Sequence, residues 1–104
     1  QVFKSFDMAA YARKMFGMYG GKEEWVRIEC DNSFAGVMID RFGKDVSMIR
    51  LDDKRFVVNV EVAVSRQFLA WIISLGEGVT LVGPDNVVEM MNIEIDRLIK
   101  QYKK

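Results

Sequence analysis

Residues 55–65 read Arg-Phe-Val-Val-Asn-Val-Glu-Val-Ala-Val-Ser, and they decide how the rest of the chain is interpreted. Every second side chain from position 56 to position 64 is apolar, and most of these are β-branched. A period of two in β-branched residues predicts a strand. The other face carries a mixed set, Val57, Asn59, Glu61 and Ala63. The stretch therefore predicts a sheet strand with one face covered by helices and one face open.

Strand and helix patterns alternate on both sides of this stretch. Further strand patterns occupy residues 24–30, 45–51 and 79–82. Helical patterns follow residues 31–32, Ser65 and either Asp85 or Asn86, which are the predicted N-caps. Gly43 and the Gly76-Glu77-Gly78 turn are the predicted ends of the first two of these helices. The order β-α-β-β-α-β with an extra C-terminal helix predicts an α+β, ferredoxin-like antiparallel sheet whose first and third strands are central.

The first 21 residues are predicted to be structurally separate from the remainder of the chain. They are predicted to form a linker arm with a short helix at residues 7–16, followed by a Gly20-Gly21 hinge. We therefore predict two units, an arm at residues 1–21 and a ferredoxin-like domain at residues 22–104. The start at Gln1, without a methionine, suggests a piece of a longer polypeptide.

The composition argues against several functional classes. The chain of 104 residues has 15 basic and 15 acidic side chains, whereas a domain that binds duplex DNA normally has a basic excess. It has no histidine, the commonest general base and metal ligand, and its one cysteine cannot form an intrachain disulfide. No apolar run is long enough to span a bilayer. We expect no cofactor, no metal, no membrane contact and a cytoplasmic location.

Five segments together resemble a known family. They are Phe-Asp-Met-Ala-Ala-Tyr at 6–11, Met-Phe-Gly at 15–17, Glu-Trp-Val-Arg-Ile at 24–28, Trp-Ile-Ile-Ser-Leu-Gly at 71–76 and Val-Thr-Leu-Val-Gly-Pro at 79–84. With the acidic and apolar helix that follows, this series resembles the C-terminal part of WYL-domain helix-turn-helix transcriptional regulators. The resemblance is to the WYL C-terminal extension and the linker that precedes it.

The resemblance implies that three domains of such a regulator have different functions. In that family a helix-turn-helix binds DNA, a WYL domain with an Sm-like barrel senses ligands or nucleic acid, and the extension helps to form the dimer and contributes to the ligand response. The present sequence contains neither a Trp-Tyr-Leu triplet nor a helix-turn-helix. The implied partners are therefore a second copy, an upstream WYL domain of the same polypeptide, and DNA only through a domain outside this chain.

The open face of the two central strands is a candidate ligand site. Its predicted members are Trp25, Arg27, Glu29, Asn59 and Glu61. An arginine fork suits a carboxylate or a phosphate. The alternative is a solvated sheet face with cross-strand ion pairs.

Two apolar segments are candidate partner surfaces. The last helix carries Val88, Met91, Ile95, Leu98 and Tyr102 at spacings of three and four, and the arm carries Phe3, Phe6, Tyr11 and Met15. Either set could pack within its own chain, but an exposed stripe of this width would instead indicate a dimer surface.

Enzymatic function is not supported by the residues. There is no Ser-His or Cys-His pair and no phosphate-binding glycine loop after a strand. Cys30 lies in the apolar phase of its strand and is predicted to be a buried small hydrophobe. Asp52 and Asp53 are predicted to be solvated turn residues. The favoured hypothesis is a non-catalytic regulatory and oligomerisation domain, and the alternative is a ferredoxin-like small-molecule sensor.

Overall fold

The computed structural model describes residues 22–103. The predicted arm, with its helix and its candidate residues Phe3, Phe6, Tyr11 and Met15, lies outside the described residues. The described elements are β1 (Lys22–Asp31), a 3-10 turn (Asn32–Phe34), α1 (Ala35–Phe42), β2 (Ser47–Arg50), β3 (Arg55–Val64), α2 (Arg66–Ser74), β4 (Val79–Gly83) and α3 (Asp85–Tyr102).

The four strands form one antiparallel sheet in the order β2-β3-β1-β4. The first and third strands are central, as the right-handed crossovers of the predicted ferredoxin-like fold require. β1 and β3 pair along their full length, from Lys22 opposite Val64 to Asp31 opposite Arg55. The α+β class and the central position of the 55–65 stretch are confirmed.

The covered face of the sheet holds the core. All five predicted inward side chains of β3 are buried, and so are Val26, Ile28 and Cys30 on β1. Side chains of α1 and α2 close over them, namely Met38, Phe42, Phe68, Leu69 and Ile72. Phe42 meets Trp71 edge to face, with ring centroids 5.6 Å apart, which joins the two helices.

The N-cap of α2 and the C-terminal ends of α1 and α2 are as predicted. The predicted cap of α1 is wrong, because a 3-10 turn intervenes and neither Asp31 nor Asn32 caps the helix. Ser65 caps α2, since its side chain accepts a hydrogen bond from the Phe68 N–H at 3.3 Å. Gly43 follows α1 with φ 96°, and Gly76 follows α2 with φ 86°. These positive angles strain any residue with a Cβ, which is why glycine occupies both positions.

The predicted cap of α3 is wrong. Neither Asp85 nor Asn86 caps the helix, because Pro84 occupies the N-cap position and makes no side-chain hydrogen bond there. The Asn86 amide instead donates to Glu24 Oε1 on β1 at 2.8 Å. The Asn86 side chain, which the local sequence pattern predicted to cap the helix, thus forms a tertiary hydrogen bond to β1 instead.

The edge strand β2 is shorter than predicted. The apolar pattern suggested residues 45–51, but the strand covers Ser47–Arg50 and all four of its residues are exposed. Met48 lies opposite Val58 of the covered face, and Ile49 lies opposite Val57 of the open face. A short, exposed edge limits unwanted pairing with other strands.

Gly78 is a position where any added side chain is expected to destabilise the fold. A Cβ there would lie 2.6 Å from Phe34 Cε2 and 3.0 Å from Asp31 Oδ2. Phe34 packs against the core, so its ring would have to move. We expect Gly78→Ala to lower the free energy of unfolding by about 1–3 kcal/mol, measured by urea denaturation.

Gly36 provides the matched control for this substitution. A Cβ added there meets no atom within 4 Å, and the residue lies inside α1. Gly36→Ala should therefore raise stability by about 0.5–1 kcal/mol through helix propensity. Equal effects of the two substitutions would contradict the close approach at Gly78.

Candidate ligand-binding and partner-binding surfaces

The five predicted residues of the candidate ligand site lie on one face of the sheet. Trp25 pairs with Glu61 and Arg27 pairs with Asn59, while Glu29 lies opposite Val57. Cross-strand partners share a face, so the register brings this set together. Trp25 is 65% exposed, an unusual position for an indole on a single domain.

Glu29 is already engaged by an arginine that the sequence reasoning did not include. Arg55 Nη1 lies 3.3 Å from Glu29 Oε1, and Arg55 Nη2 lies 2.8 Å from Asp52 Oδ2. Asp52 also accepts the backbone N–H groups of Lys54 and Arg55, at 2.8 and 2.9 Å. The Lys54 backbone hydrogen bond and the Arg55 side chain hold the pKa of Asp52 below its ordinary value. Asp52 therefore closes the hairpin and is not merely a solvated turn residue.

The missed residue could have been found from the strand phase. Arg55 has the same parity as Asn59 and Glu61, which places it on the open face at the start of β3. What the sequence could not supply was the register, which brings Arg55 opposite Asp31 and within reach of Glu29.

Arg27 differs from the other arginines of the described part. Arg50, Arg55, Arg66 and Arg97 each form an ion pair with a carboxylate. Arg41 lies over the ring of Trp71, 4.9 Å from its centroid.

Within residues 22–103 Arg27 has no ion pair. A Cβ built on Gly83 would lie 3.7 Å from Arg27 Cβ and 3.9 Å from Nη1, so the side chain extends over β4. Its guanidinium is available on the open face, but it is directed away from Glu61.

The long helix α3 is held to the domain mainly by its first half. Val87 is fully buried, and Met90 and Met91 pack against the core. From Ile93 onward the helix leaves large apolar side chains in solvent: Ile93, Ile95, Ile99 and Tyr102 are 56%, 41%, 51% and 73% exposed. Of the predicted partner surface, Val88, Met91 and Leu98 are half-buried, whereas Ile95 and Tyr102 are exposed.

The Glu94 carboxylate in the middle of α3 forms an ion pair with α2. Glu94 accepts from Arg66 Nε of α2 at 3.2 Å and from Arg97 Nε at 3.0 Å. Its side chain is only 13% exposed. Burial raises the pKa of Glu94, but the hydrogen bonds from Arg97 and Arg66 outweigh burial and hold the pKa below its ordinary value of 4.5.

The Glu94 contacts predict a pH dependence of stability. A carboxylate whose pKa is lower in the folded state stabilises the fold above its unfolded pKa and loses that effect as pH falls through the folded pKa. Acidification below about 4.5 should therefore destabilise the wild type more than Glu94→Gln. Urea midpoints at neutral and acidic pH measure the difference. The control is Glu89→Gln, an exposed position of the same helix, which should retain the wild-type pH dependence.

Between α2 and α3 lies an open groove of about 600 Å³, lined by Arg66, Gln67, Leu69, Met90, Ile93 and Glu94. Arg66 and Glu94 form an ion pair, so the two charged side chains of the groove are already matched to each other. Cys30 is 1% exposed, as predicted, and burial followed by the charges of Asp31 and Glu29 raises its pKa to about 12. A thiol with this pKa is not reactive at neutral pH.

The four-stranded antiparallel sheet, with its helices and the additional C-terminal helix, defines a ferredoxin-like α+β domain. The family model of the WCX domain, the WYL C-terminal extension, matches residues 22–99, and the chain belongs to this family. The family indicates a regulatory role in association with WYL domains. No curated protein matches the chain significantly.

Among the described helices, none has the length and apolar character needed to cross a membrane.

Proposed function

We propose that this chain is the non-catalytic regulatory and oligomerisation domain of a cytoplasmic, DNA-binding transcriptional regulator. Its role is to hold two copies of the regulator together, while an upstream WYL domain of the same polypeptide contacts the effector and a further domain contacts DNA. Family membership supports the regulatory setting. The assembly role is supported by one observation, the exposed apolar side chains on the second half of α3.

The exposed half of α3 supports assembly because of its energetic cost in a monomer. Burying apolar surface stabilises by about 25 cal/mol per Å², so the exposed Ile95, Ile99 and Tyr102 on one side of the helix favour a partner. Beyond Met91 the domain covers Glu94 and part of Leu98, and the three apolar side chains of that side remain exposed. A contiguous apolar surface of this kind marks an interaction site more often than a solvated face.

The proposal is tested by the oligomeric state of the intact polypeptide. Sedimentation or light scattering at micromolar concentration should give the mass of a dimer, and the mass should fall on dilution if the interface is of modest size. A monomer at all accessible concentrations would refute the assembly role and leave the sensing role.

The second candidate function is a contribution to effector sensing by the open sheet face. The observation that favours it is the unmatched Arg27 beside the exposed Trp25, with Asn59 opposite. A guanidinium without an internal ion pair, on the same strand face as an exposed indole two residues away, suits a ligand with a carboxylate or phosphate and a planar group.

We expect Arg27→Ala to reduce the effector response of the intact regulator, measured as effector-dependent DNA binding or reporter expression. The control is Arg50→Ala, which removes an exposed arginine already paired with Asp53. An unchanged response in the Arg27 variant would remove Arg27 from the site, and an equal loss in both variants would indicate a general effect of charge.

A further inference from the structure

We propose that the second copy binds through α3, with the two α3 helices antiparallel about a two-fold axis that passes near Ile95. This inference rests on the proposed assembly role and specifies which surface is used and in which orientation. It is carried by three observations on the described residues: the position of the exposed stripe, the side of the helix that faces its own domain, and the order of charges along the helix.

The exposed side chains form a stripe along one side of the helix. They are Ile95, Ile99 and Tyr102, and the half-buried Val88 continues their line toward the start of the helix. At about 100° per residue, these four side chains fall within a sector of about 60°. The stripe runs from the first turns to the last turn, over about 21 Å. It is long and narrow, as a helix-to-helix contact requires.

The attachment of α3 to its own domain leaves Ile95, Ile99 and Tyr102 of this stripe uncovered. The buried Val87, the half-buried Met91 and the ion-paired Glu94 all lie on one side of the helix. At the same angular step, that side is roughly a quarter turn away from Ile95. A partner helix can therefore lie beside α3 without displacing the contacts with α2 and the sheet.

The charges of α3 are ordered along its length. From position 85 to position 103, all acidic residues precede all basic ones: the acidic set is Asp85, Glu89, Glu94 and Asp96, and the basic set is Arg97, Lys100 and, directly after the helix, Lys103. This order also suits the helix dipole. Two parallel copies would place like charges together, whereas two antiparallel copies place the acidic end of one beside the basic end of the other.

An antiparallel pair centred at Ile95 has a defined register. Ile95 meets the partner's Ile95, and Val88 meets the partner's Tyr102, so that a small side chain faces a large one. On the solvent side Glu89 comes near the partner's Lys103, and the two-fold axis repeats this pair. A self-complementary surface of this kind closes at two copies.

Cysteine cross-linking tests the register directly. Ile95→Cys should form an intermolecular disulfide under mild oxidation, because a residue near the axis meets its own copy. Val88→Cys and Tyr102→Cys should each give little cross-linking alone but should give a mixed disulfide when the two variants are combined. The native Cys30 is buried and does not compete.

Ile93→Cys is the matched control. Ile93 is also an exposed isoleucine of α3, but it lies about 160° around the helix from Ile95. It should remain uncross-linked. Strong cross-linking of Ile93→Cys instead would assign the contact to the groove between α2 and α3 and would overturn the proposal.

Charge reversal tests the orientation independently. Glu89→Lys alone and Lys103→Glu alone should each weaken self-association roughly tenfold at low salt, and an equimolar mixture should recover it as a heterodimer. A dimer that shows neither the mixed disulfide nor this recovery would overturn the α3 geometry and leave the assembly role intact. A monomeric wild type would overturn both.

Discussion

Replacing Phe68 by alanine is expected to lower the free energy of unfolding by about 3–5 kcal/mol. Phe68 is fully buried in the first turns of α2, where it joins the cluster formed with the inward side chains of β1 and β3. Its ring centroid lies 6.3 Å from that of Trp71, so the substitution also removes an aromatic neighbour. The loss combines the lost burial with the cavity that a packed core cannot fill. It is measured by urea denaturation followed by circular dichroism.

The matched control for Phe68 is on the same helix. Ile73 is 46% exposed, and Ile73→Ala removes a large side chain from α2 without opening the core. We expect this variant to lower the free energy of unfolding by less than about 1 kcal/mol. If Phe68→Ala proves too unstable to purify, Phe68→Leu should still lower the unfolding midpoint clearly. Similar losses at Phe68 and Ile73 would show that the core does not depend on the Phe68 ring.

The second large effect concerns assembly. Ile95→Asp is expected to weaken self-association of the chain about a hundredfold or more, because it places two carboxylates, one from each copy, in the centre of an apolar contact. The fold should remain intact, since Ile95 is already 41% exposed in the single chain. Sedimentation over a dilution series measures the association, and circular dichroism verifies the fold.

The chain offers a close control for Ile95→Asp. Ile93→Asp introduces the same charge into the same helix, at a position that is 56% exposed and faces another direction. The dissociation constant of self-association of this variant should stay within a few-fold of the wild-type value. Equal weakening by both substitutions would indicate that added negative charge on α3, and not the stripe, controls the assembly.

These effects relate the fold of the domain to its regulatory setting. The sheet, helices α1 and α2 and the first half of α3 form the core, whereas the second half of α3 extends beyond it. A helix of which only the first half is attached is suited to join two copies through its second half. Core substitutions should therefore act on stability, and substitutions in the second half of α3 should act on assembly.

The sequence by itself determined the fold class because the decisive signals are local. The alternation in β3 requires only the two-residue period of a strand, and the ends of α1 and α2 require only glycines that tolerate positive φ. Strand order followed from the right-handed rule for crossovers. The phase of β1 and β3 also placed Trp25, Arg27 and Asn59 on one face before their register was known.

Tertiary structure decided the features that depend on which groups meet across the chain. Asn86 binds Glu24 and does not cap its helix, because a partner 62 positions away is brought within 2.8 Å. Glu29 forms an ion pair with Arg55, while Arg27 has no ion pair within residues 22–103. No local sequence pattern predicts this pairing, because it depends on the cross-strand register and on the direction of each side chain. The same reason applies to α3. Its apolar spacing is continuous in the sequence. Only the packed domain decides that Val87, Met90 and Met91 contact the core while Ile95, Ile99 and Tyr102 stay exposed, because burial depends on where the body of the domain ends.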